Sequence, residues 1–347
     1  MHMMFGVKLI FELTNLCNFS CVHCIRDEEG PKHYLPIELI DKVLAEVQPY
    51  HNITHVAFTG GEPSLNPQFT EIVQRVVDGG YTFGFVTNGW HFQKRLSELL
   101  PFQPAIRSLT FSVDGATEAT YDTLRRRPGS FRRLVQAMSL CRFHHIPFQI
   151  NMAVTKSNRA ELEAMALLAS RLGCEALGYG HCQPTPDSLA ADLVLPVEER
   201  RRVEADIANL QQTFQLPIYL AGDHYTPALF TQCPQLQMQE FNIDYRGYLT
   251  ACCTLSNYRG GAPDTDVIAD LSEVSFYEAH KRLIAKIAQI NSEKVDRLSA
   301  PGITAADYFR CTHCLLHYRK VEGIEHILNP SARLSAPGAE ELIHVAF

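Results

Sequence analysis

Short apolar runs alternate with amphipathic segments over the first 220 residues of this 347-residue chain. The runs are rich in β-branched and aromatic residues and are bounded by turn residues, which predicts strands. Between them apolar residues recur every three or four positions, which predicts helices with one buried face. The predicted strands are 7–13, 53–59, 82–87, 108–113, 147–154 and 176–180, and the predicted helices are 36–47, 68–79, 92–99, 130–144 and 159–172.

Strands that alternate with helices predict an α/β fold in which a parallel sheet is covered by helices. Six such units favour a partial (β/α)6 TIM-like barrel, in which the loops after the carboxyl ends of the strands build the active site. Polar and glycine motifs follow each of the first four predicted strands, at residues 15–24, residues 60–63, Asn88-Gly89 and Asp114-Gly115.

The pattern changes near residue 226. Before this point, residues 198–214 predict a charged helix and residues 216–220 a short strand. Beyond it, residues 241–252 alternate and are interrupted by Arg246-Gly247, which is typical of a β-hairpin, and residues 276–290 predict a helix. We therefore expect a barrel at residues 1–225, a small C-terminal domain at 226–330 and a peripheral tail at 331–347.

Charge and hydropathy argue against several classes of function. The net charge of −7 is spread without a basic block, which gives no support to nucleic acid binding. No apolar run approaches the roughly 20 residues that a membrane span needs. The N-terminus shows no charged segment followed by an apolar core, as a signal peptide would. The sequence therefore predicts a cytoplasmic protein without a nucleic acid or membrane partner.

The chain contains 11 cysteines. In a reducing compartment, clustered cysteines more often bind metal or do chemistry than form disulfides. Three of them, Cys141, Cys174 and Cys182, are scattered and are expected to be small buried apolar residues. The others form two groups, Cys17, Cys21 and Cys24 near the start, and Cys233, Cys252, Cys253, Cys311 and Cys314 in the last third.

The first group places three thiolates in one short loop. A structural zinc site wants four ligands, usually in two pairs. Three soft thiolates instead suit a four-iron cluster that leaves one iron open for a small molecule. The alternative is a zinc knuckle in which His23 or His33 is the fourth ligand. The glycine-rich motif after the second strand favours the cluster.

Residues 17–24, CNFSCVHC, resemble the cysteine signature of the radical S-adenosylmethionine (SAM) superfamily, and residues 59–63, TGGEP, resemble the second motif of that family. The resemblance implies that the three cysteines hold a 4Fe-4S cluster and that SAM binds its open iron. It also implies that the backbone of the second motif binds the SAM amino group. The SAM-binding residues it implies are His23 (through its backbone, to adenine), Gly60, Gly61, Glu62, Pro63, Asn88, Ser112 and Arg125 (to the SAM carboxylate).

The second group resembles the Twitch form of the SPASM auxiliary-cluster domain, in which a hairpin separates two cysteines and a later Cys-x2-Cys supplies two more. The resemblance implies one auxiliary 4Fe-4S cluster with a closed coordination shell that does not bind SAM. A structural zinc on the same cysteines is the alternative, because the spacing does not distinguish the metals. The implied ligands are Cys233, Cys252, Cys311 and Cys314.

The resemblance implies a reaction class as well. The first cluster passes one electron to SAM, and the resulting 5′-deoxyadenosyl radical takes hydrogen from a substrate that the protein orients and shields from water. A flavodoxin- or ferredoxin-type protein is the expected electron donor. SPASM and Twitch relatives mostly modify ribosomally made peptides, and a minority oxidise or epimerise sugars and aminocyclitols. Both substrate classes stay open, as does a non-catalytic metal-binding protein.

Cys253 directly follows Cys252, at a position that faces the substrate in related enzymes. A thiol is a good hydrogen-atom donor, so Cys253 is the candidate catalytic residue. If it quenched a substrate radical from the opposite face, a carbon centre would be inverted, as in the radical SAM peptide epimerases that this pattern resembles. We therefore favour epimerisation over oxidation or crosslinking. The alternatives are that Cys253 packs in the core or is itself the ligand in place of Cys252.

Overall fold

A computed structural model describes residues 6–27, 30–228, 230, 233–322 and 324 of the chain. Within these residues the strands are β1 (Val7–Glu12), β2 (Ile53–Thr59), β3 (Thr82–Thr87), β4 (Leu109–Ser112), β5 (Phe148–Val154), β6 (Leu177–His181), β7 (Ile218–Leu220), β8 (Glu240–Ile243), β9 (Tyr248–Thr250) and β10 (Val267–Asp270). They form one sheet in the order β10-β9-β8-β1-β2-β3-β4-β5-β6-β7. Strands β1 to β7 run parallel, and the sheet does not close. The predicted α/β partial barrel is confirmed.

The helices over the described ranges are α1 (Ile37–Val47), α2 (Phe69–Asp78), α3 (Phe92–Leu99), α4 (Glu118–Arg125), α5 (Ser130–Phe143), α6 (Leu162–Leu172), α7 (Pro186–Ala190), α8 (Val197–Thr213), α9 (Phe276–Ser299) and α10 (Arg310–His317). The sequence pattern missed the short elements α4, α7, α10 and β10. In the part of the chain that the structure describes, no helix is long and apolar enough to span a bilayer.

The main core lies between the outer face of the barrel strands and the helices. Strand β5 shows the arrangement, because its residues alternate between buried and partly exposed. Phe148 and Ile150 face the core, and Phe148 packs edge-on against Phe111 with ring centroids 5.7 Å apart. Gln149 and Asn151 lie on the opposite, inner face. Since helices cover only the outer face, the inner face is left to line a cavity.

The predicted hairpin consists of β8 and β9 and extends the barrel sheet. Strand β8 pairs with β1 in parallel register, from Lys8 opposite Glu240 to Phe11 opposite Ile243. At the turn, Gly247 has a φ of 94°, which favours glycine. The hairpin therefore continues the barrel sheet. A domain boundary at residue 226 stays a prediction, and the predicted tail, residues 331–347, lies outside the described residues.

Candidate functional site

The cysteine loop follows β1 and is closed at its base by side chains. The Thr14 hydroxyl donates to the carbonyl of His33 at 2.7 Å. The Asn15 amide donates to the carbonyl of Pro31 at 2.9 Å and accepts from the backbone N–H of His33 at 2.9 Å. Three hydrogen bonds thus fix where the loop leaves and rejoins the barrel, with the first group of cysteines between them.

The two glycines after β2 pack directly against this loop. The N–H of Gly61 donates to the Thr14 carbonyl at 2.8 Å, and the N–H of Glu62 donates to the Leu16 carbonyl at 2.8 Å. A Cβ atom on Gly60 would lie 2.3 Å from the Thr14 oxygen, and one on Gly61 would lie 2.2 Å from the Leu16 oxygen. Because no side chain fits there, the glycines allow the second motif to support the first.

Glu62 joins the ends of β2 and β3. Its carboxylate is 1% exposed and accepts from the Ser64 hydroxyl at 2.7 Å, the Thr87 hydroxyl at 3.0 Å and the backbone N–H of Asn88 at 2.9 Å. Burial raises the pKa of Glu62, and these hydrogen bonds oppose the shift without cancelling it. The contacts give Glu62 a structural role, and its contact with the SAM ammonium stays a prediction. Pro63 begins the short turn of residues Pro63–Leu65 that follows.

Asn88, at the end of β3, faces the first cysteine. Its amide nitrogen donates to the Asn18 side-chain oxygen at 2.9 Å and lies 3.9 Å from the Cys17 sulfur. The amide nitrogen of Asn18 is buried with no hydrogen-bond partner among the described residues. The Asn88 nitrogen beside Cys17 and the unpartnered Asn18 nitrogen are donors that suit a site for an anionic or sulfur-rich group.

A buried carboxylate lies behind the second cysteine. Asp114 lies 2.9 Å from His23 Nε2 and 2.5 Å from Arg125 Nη2, and Arg125 Nη1 donates to the Cys21 sulfur at 3.5 Å. Burial raises the pKa of Asp114, but the Arg125 guanidinium and His23 outweigh it, so its pKa lies below the ordinary value. Arg125 and His23, both predicted to contact SAM, are thus anchored on Asp114. Ser112, another predicted contact, is the last residue of β4.

The donor chemistry of this loop fits an iron–sulfur cluster. Burial raises the pKa of Cys21 to about 11 against the opposing charge of Arg125, so a metal that needs the thiolate must displace a proton. Cys17 and Cys24 are close enough to influence each other electrostatically. Among the residues that the structure describes, no three His, Cys, Asp or Glu side chains are grouped so that they could hold a metal ion as they stand. The fit therefore rests on three soft thiols in one fixed loop.

The five cysteines of the second group line one cavity of about 660 Å³. The backbone N–H of Cys311 donates to Asp223 at 2.9 Å, which fixes the start of α10. Burial raises the pKa of Cys314 to about 12. The neighbouring Cys252 thiol and the Arg26 charge hold the pKa of Cys253 below its ordinary value despite its burial. The structure thus brings together Cys233, Cys252, Cys253, Cys311 and Cys314.

Arg26 connects the two groups of cysteines. Its guanidinium pairs with Glu12 at 3.1 Å and donates to the carbonyl of Ser256. Segment 25–27 lies beside segment 257–259, where Asp27 N–H donates to the Asn257 carbonyl at 2.9 Å. The end of the first cysteine loop is therefore joined to the chain just beyond Cys253.

Several of these residues were missed from the sequence. Arg26 and Glu12 carry no motif, and only the tertiary structure brings them together. On β5, the alternation of Gln149, Ile150, Asn151 and Met152 did hold a signal, because two amides recur on the face opposite the apolar residues. The scattered cysteines are buried as expected, at 0%, 7% and 3% exposure for Cys141, Cys174 and Cys182.

The first half of the chain is similar in sequence to known proteins. Residues 11–169 match the family model of the radical SAM superfamily. The AdoMet-dependent heme synthase of Methanosarcina barkeri is 31% identical over 205 residues, covering 56% of this chain and 55% of that protein. The subtilosin biosynthesis protein AlbA of Bacillus subtilis is 29% identical over 170 residues, covering 49% and 38%. The chain thus aligns with about half or less of each of these relatives.

Solved structures agree on the fold. SuiB of Streptococcus suis with bound S-adenosylmethionine superposes with a TM-score of 0.66 at 12% identity, covering 83% of this chain and 68% of that one. SuiB bound to its precursor peptide SuiA superposes with a TM-score of 0.59 at 12% identity, covering 73% of this chain and 60% of that one. With the cysteine loop, the supporting glycines and the barrel in place, residues 11–169 of this chain are a domain of the radical SAM superfamily.

Proposed function

We propose that this radical SAM enzyme modifies a ribosomally made peptide and that the reaction is an epimerisation. One observation carries the proposal. A single cavity reaches from the second group of cysteines, Cys253 included, to the inner faces of the barrel strands. AlbA, named for the biosynthesis of a bacteriocin, and SuiB, solved with a precursor peptide, support a peptide substrate.

In this proposal two 4Fe-4S clusters are held by this chain. The first is bound by Cys17, Cys21 and Cys24, with SAM beside residues 60–63, Asn88, Ser112 and Arg125, and the backbone of His23 at the adenine. Reductive cleavage of SAM at this cluster supplies a 5′-deoxyadenosyl radical. Asp114 holds Arg125 and His23 behind Cys21, and Glu62 fixes the backbone of Asn88. The second, auxiliary cluster is bound by Cys233, Cys252, Cys311 and Cys314, in a Twitch/SPASM-like domain at residues 226–330.

Cys253 is the proposed hydrogen-atom donor. After one face of a substrate carbon loses a hydrogen atom, the S–H bond of Cys253 breaks and a C–H bond forms on the opposite face. The thiyl radical left on Cys253 returns to the thiol when it takes one electron from a ferredoxin- or flavodoxin-type donor and one proton from water. Cys253 lines the proposed substrate cavity together with Arg26, whose charge acts on the thiol.

A small-molecule substrate is the second candidate. The alignment with a heme synthase favours it, and a cavity of about 660 Å³ lies in the range for such ligands. In this case the reaction would be oxidation or epimerisation of a compound such as a sugar or aminocyclitol, and crosslinking of a peptide is the further alternative.

The test is turnover in deuterated water. The reconstituted enzyme is incubated with SAM, a reductant and either short peptides encoded beside the gene or a set of polyols. The masses of the products are then measured by mass spectrometry. Epimerisation by Cys253 predicts a peptide in which one hydrogen is replaced by solvent deuterium, with no solvent deuterium in 5′-deoxyadenosine. A product that has lost two hydrogens and gained no deuterium contradicts the donor role, and a modified polyol contradicts the peptide substrate.

Neighbouring cysteines provide the matched variants. Cys253→Ala is expected to keep the iron of both clusters and to cleave SAM, but to lose inversion. Cys252→Ala is expected to lose iron from the auxiliary cluster. If Cys253→Ala loses iron and Cys252→Ala does not, Cys253 is the ligand and the assignment is wrong.

A further inference from the structure

A row of residues lies in register across β4 to β7 on the inner face of the barrel, and hydrogen bonds join its polar side chains on β5 and β7. Ser112 on β4 is in register with Asn151 on β5, Asn151 with Gly178 on β6, and Gly178 with Tyr219 on β7. Asn151 and Tyr219 line the same cavity as Cys253. The row therefore runs from the last residue of β4, where SAM is proposed to bind, along one wall of the substrate cavity.

Tyr219 reaches Asn151 by crossing over the strand between them. Its hydroxyl donates to the Asn151 side-chain oxygen at 3.0 Å, with the Gln149 side-chain oxygen 3.3 Å away. The crossing depends on Gly178, because a Cβ there would lie 2.2 Å from the Asn151 oxygen and 2.7 Å from the Tyr219 ring. A glycine at this position of the strand thus makes room for the contact.

The hydrogen bonds within the row determine which donors and acceptors stay available to a ligand. The Gln149 nitrogen donates to the Thr110 hydroxyl at 2.8 Å, and the side-chain oxygens of Gln149 and Asn151 both face the Tyr219 hydroxyl. The Asn151 amide nitrogen has no hydrogen-bond partner among the residues that the structure describes. Because the Asn151 oxygen already accepts a hydrogen bond from Tyr219, the group that Asn151 offers to a ligand is its N–H donor. This donor suits a ligand atom that only accepts hydrogen bonds.

Of the cations that line this cavity, Lys8 and Arg26 have carboxylate partners, and Arg310 lies 3.0 Å from His224. Lys8, which lines the same cavity, forms an ion pair with Glu240 at 2.8 Å. Lys8 therefore brings little free positive charge to this wall, and a neutral acceptor suits the Asn151 amide nitrogen. A carbonyl oxygen meets both conditions, because it accepts from the Asn151 amide and needs no acceptor in return. A polyol hydroxyl also brings a donor, which would have to share an oxygen that already lies close to the Tyr219 hydroxyl.

We propose that Asn151, oriented by Tyr219, is the specificity residue that binds a backbone amide carbonyl of the substrate. The inference rests on the proposed function and deepens it by naming the group that is recognised. A carbonyl held on β5 places the adjacent α-carbon in the cavity that Cys253 lines, and the hydrogen bond contributes to substrate affinity.

Two measurements test the proposal. Anaerobic crystals of the reconstituted enzyme are soaked in N-methylacetamide or in ethylene glycol. The amide oxygen is expected within hydrogen-bond distance of the Asn151 nitrogen in the wild-type protein and absent from that place in Tyr219→Phe. Ethylene glycol at Asn151, or no amide there, overturns the proposal.

The second measurement is turnover of a library of N-acetylated, C-amidated hexapeptides. Loss of one oriented hydrogen bond predicts that Tyr219→Phe raises KM about three- to tenfold, with kcat and SAM cleavage without substrate little changed. Tyr179→Phe is the control, because Tyr179 on β6 donates to the Leu162 carbonyl at 2.6 Å, away from the cavity. An equal KM in Tyr219→Phe overturns the role of the row while the proposed function stands. If no hexapeptide is modified but N-methylacetamide binds at Asn151, the row stands and the peptide reaction fails.

Discussion

Arg125 donates one hydrogen bond to the Cys21 sulfur at 3.5 Å while its other terminal nitrogen lies 2.5 Å from the buried carboxylate of Asp114. A residue of α4 thus joins the cysteine loop to the end of β4. The carboxylate that anchors it is 1% exposed, so its charge depends on these partners for stabilisation.

Asp114→Asn is expected to destabilise the protein by about 3–5 kcal/mol, because it leaves the buried Arg125 guanidinium without its counter-charge. The matched control is Asp41→Asn, which removes a surface partner of Arg75 at 3.1 Å and is expected to cost about 0–1 kcal/mol. The measurement is urea unfolding of the anaerobically reconstituted proteins, with iron content alongside. Equal costs for the two variants would contradict the anchoring role of Asp114.

Gly61→Ala is expected to lower iron content as well as SAM affinity. The new Cβ would lie 2.2 Å from the Leu16 carbonyl, so the cysteine loop must shift. Gly80→Ala is the control, because no atom lies within 4 Å of the position that a Cβ on Gly80 would take. The φ of 81° at Gly80 disfavours alanine, so this variant carries backbone strain without a steric clash. Iron is measured after anaerobic reconstitution. Full iron content in Gly61→Ala would show that the glycine serves only to admit SAM.

Much of this arrangement follows from local sequence. The strands and helices of the barrel are predictable because their periodicities extend over enough residues, and the cysteine groups are predictable because spacing is a local property. Contacts between side chains of different strands could not be predicted, because they depend on the order of the strands in the sheet. Tyr219 meets Asn151 only because β7 lies beside β6 and β6 beside β5, with Gly178 between them.

The glycines after β2 illustrate the same limit. Their residue type predicts close approach of a backbone, and the resemblance assigns that approach to SAM. In the structure the carbonyls of Thr14 and Leu16 occupy the positions that a Cβ on Gly60 or Gly61 would need. The sequence thus predicts that another group packs closely against these glycines, but only the tertiary structure shows which group it is.

Arg26→Gln is expected to cost about 3–5 kcal/mol, because it leaves Glu12, 1% exposed, without its ion-pair partner. The double variant Glu12→Gln/Arg26→Gln removes both charges and is expected to be more stable than Arg26→Gln alone. Urea unfolding of the two single variants and the double variant gives the coupling free energy between Glu12 and Arg26. If the double variant loses as much free energy of unfolding as the two single variants together, the two charges are not coupled and Arg26 does not depend on Glu12.

His55 predicts a pH dependence of stability. Burial, together with Lys8 and Arg107, lowers its pKa from 6.5 to about 4. The folded state thus favours the neutral imidazole, and the unfolded state binds the proton first. Stability is therefore unaffected above pH 6.5 and falls by about 3 kcal/mol as the pH drops to about 4.

His55→Asn is expected to remove this contribution, and His145→Asn, which changes an exposed residue, is expected to leave it. The measurement is urea unfolding at a series of pH values across this range. A wild-type profile that His55→Asn does not flatten would show that another group is responsible.

The role of the first three cysteines is tested by comparing wild-type protein with the variant Cys17→Ala/Cys21→Ala/Cys24→Ala after anaerobic reconstitution. Both are incubated with SAM and dithionite, and 5′-deoxyadenosine is measured by chromatography. The wild-type protein is expected to form 5′-deoxyadenosine. The variant is expected to form none and to bind about half the iron, because the four cysteines of the auxiliary cluster remain. If the variant still forms 5′-deoxyadenosine, the three cysteines do not hold the SAM-cleaving cluster and the account is wrong.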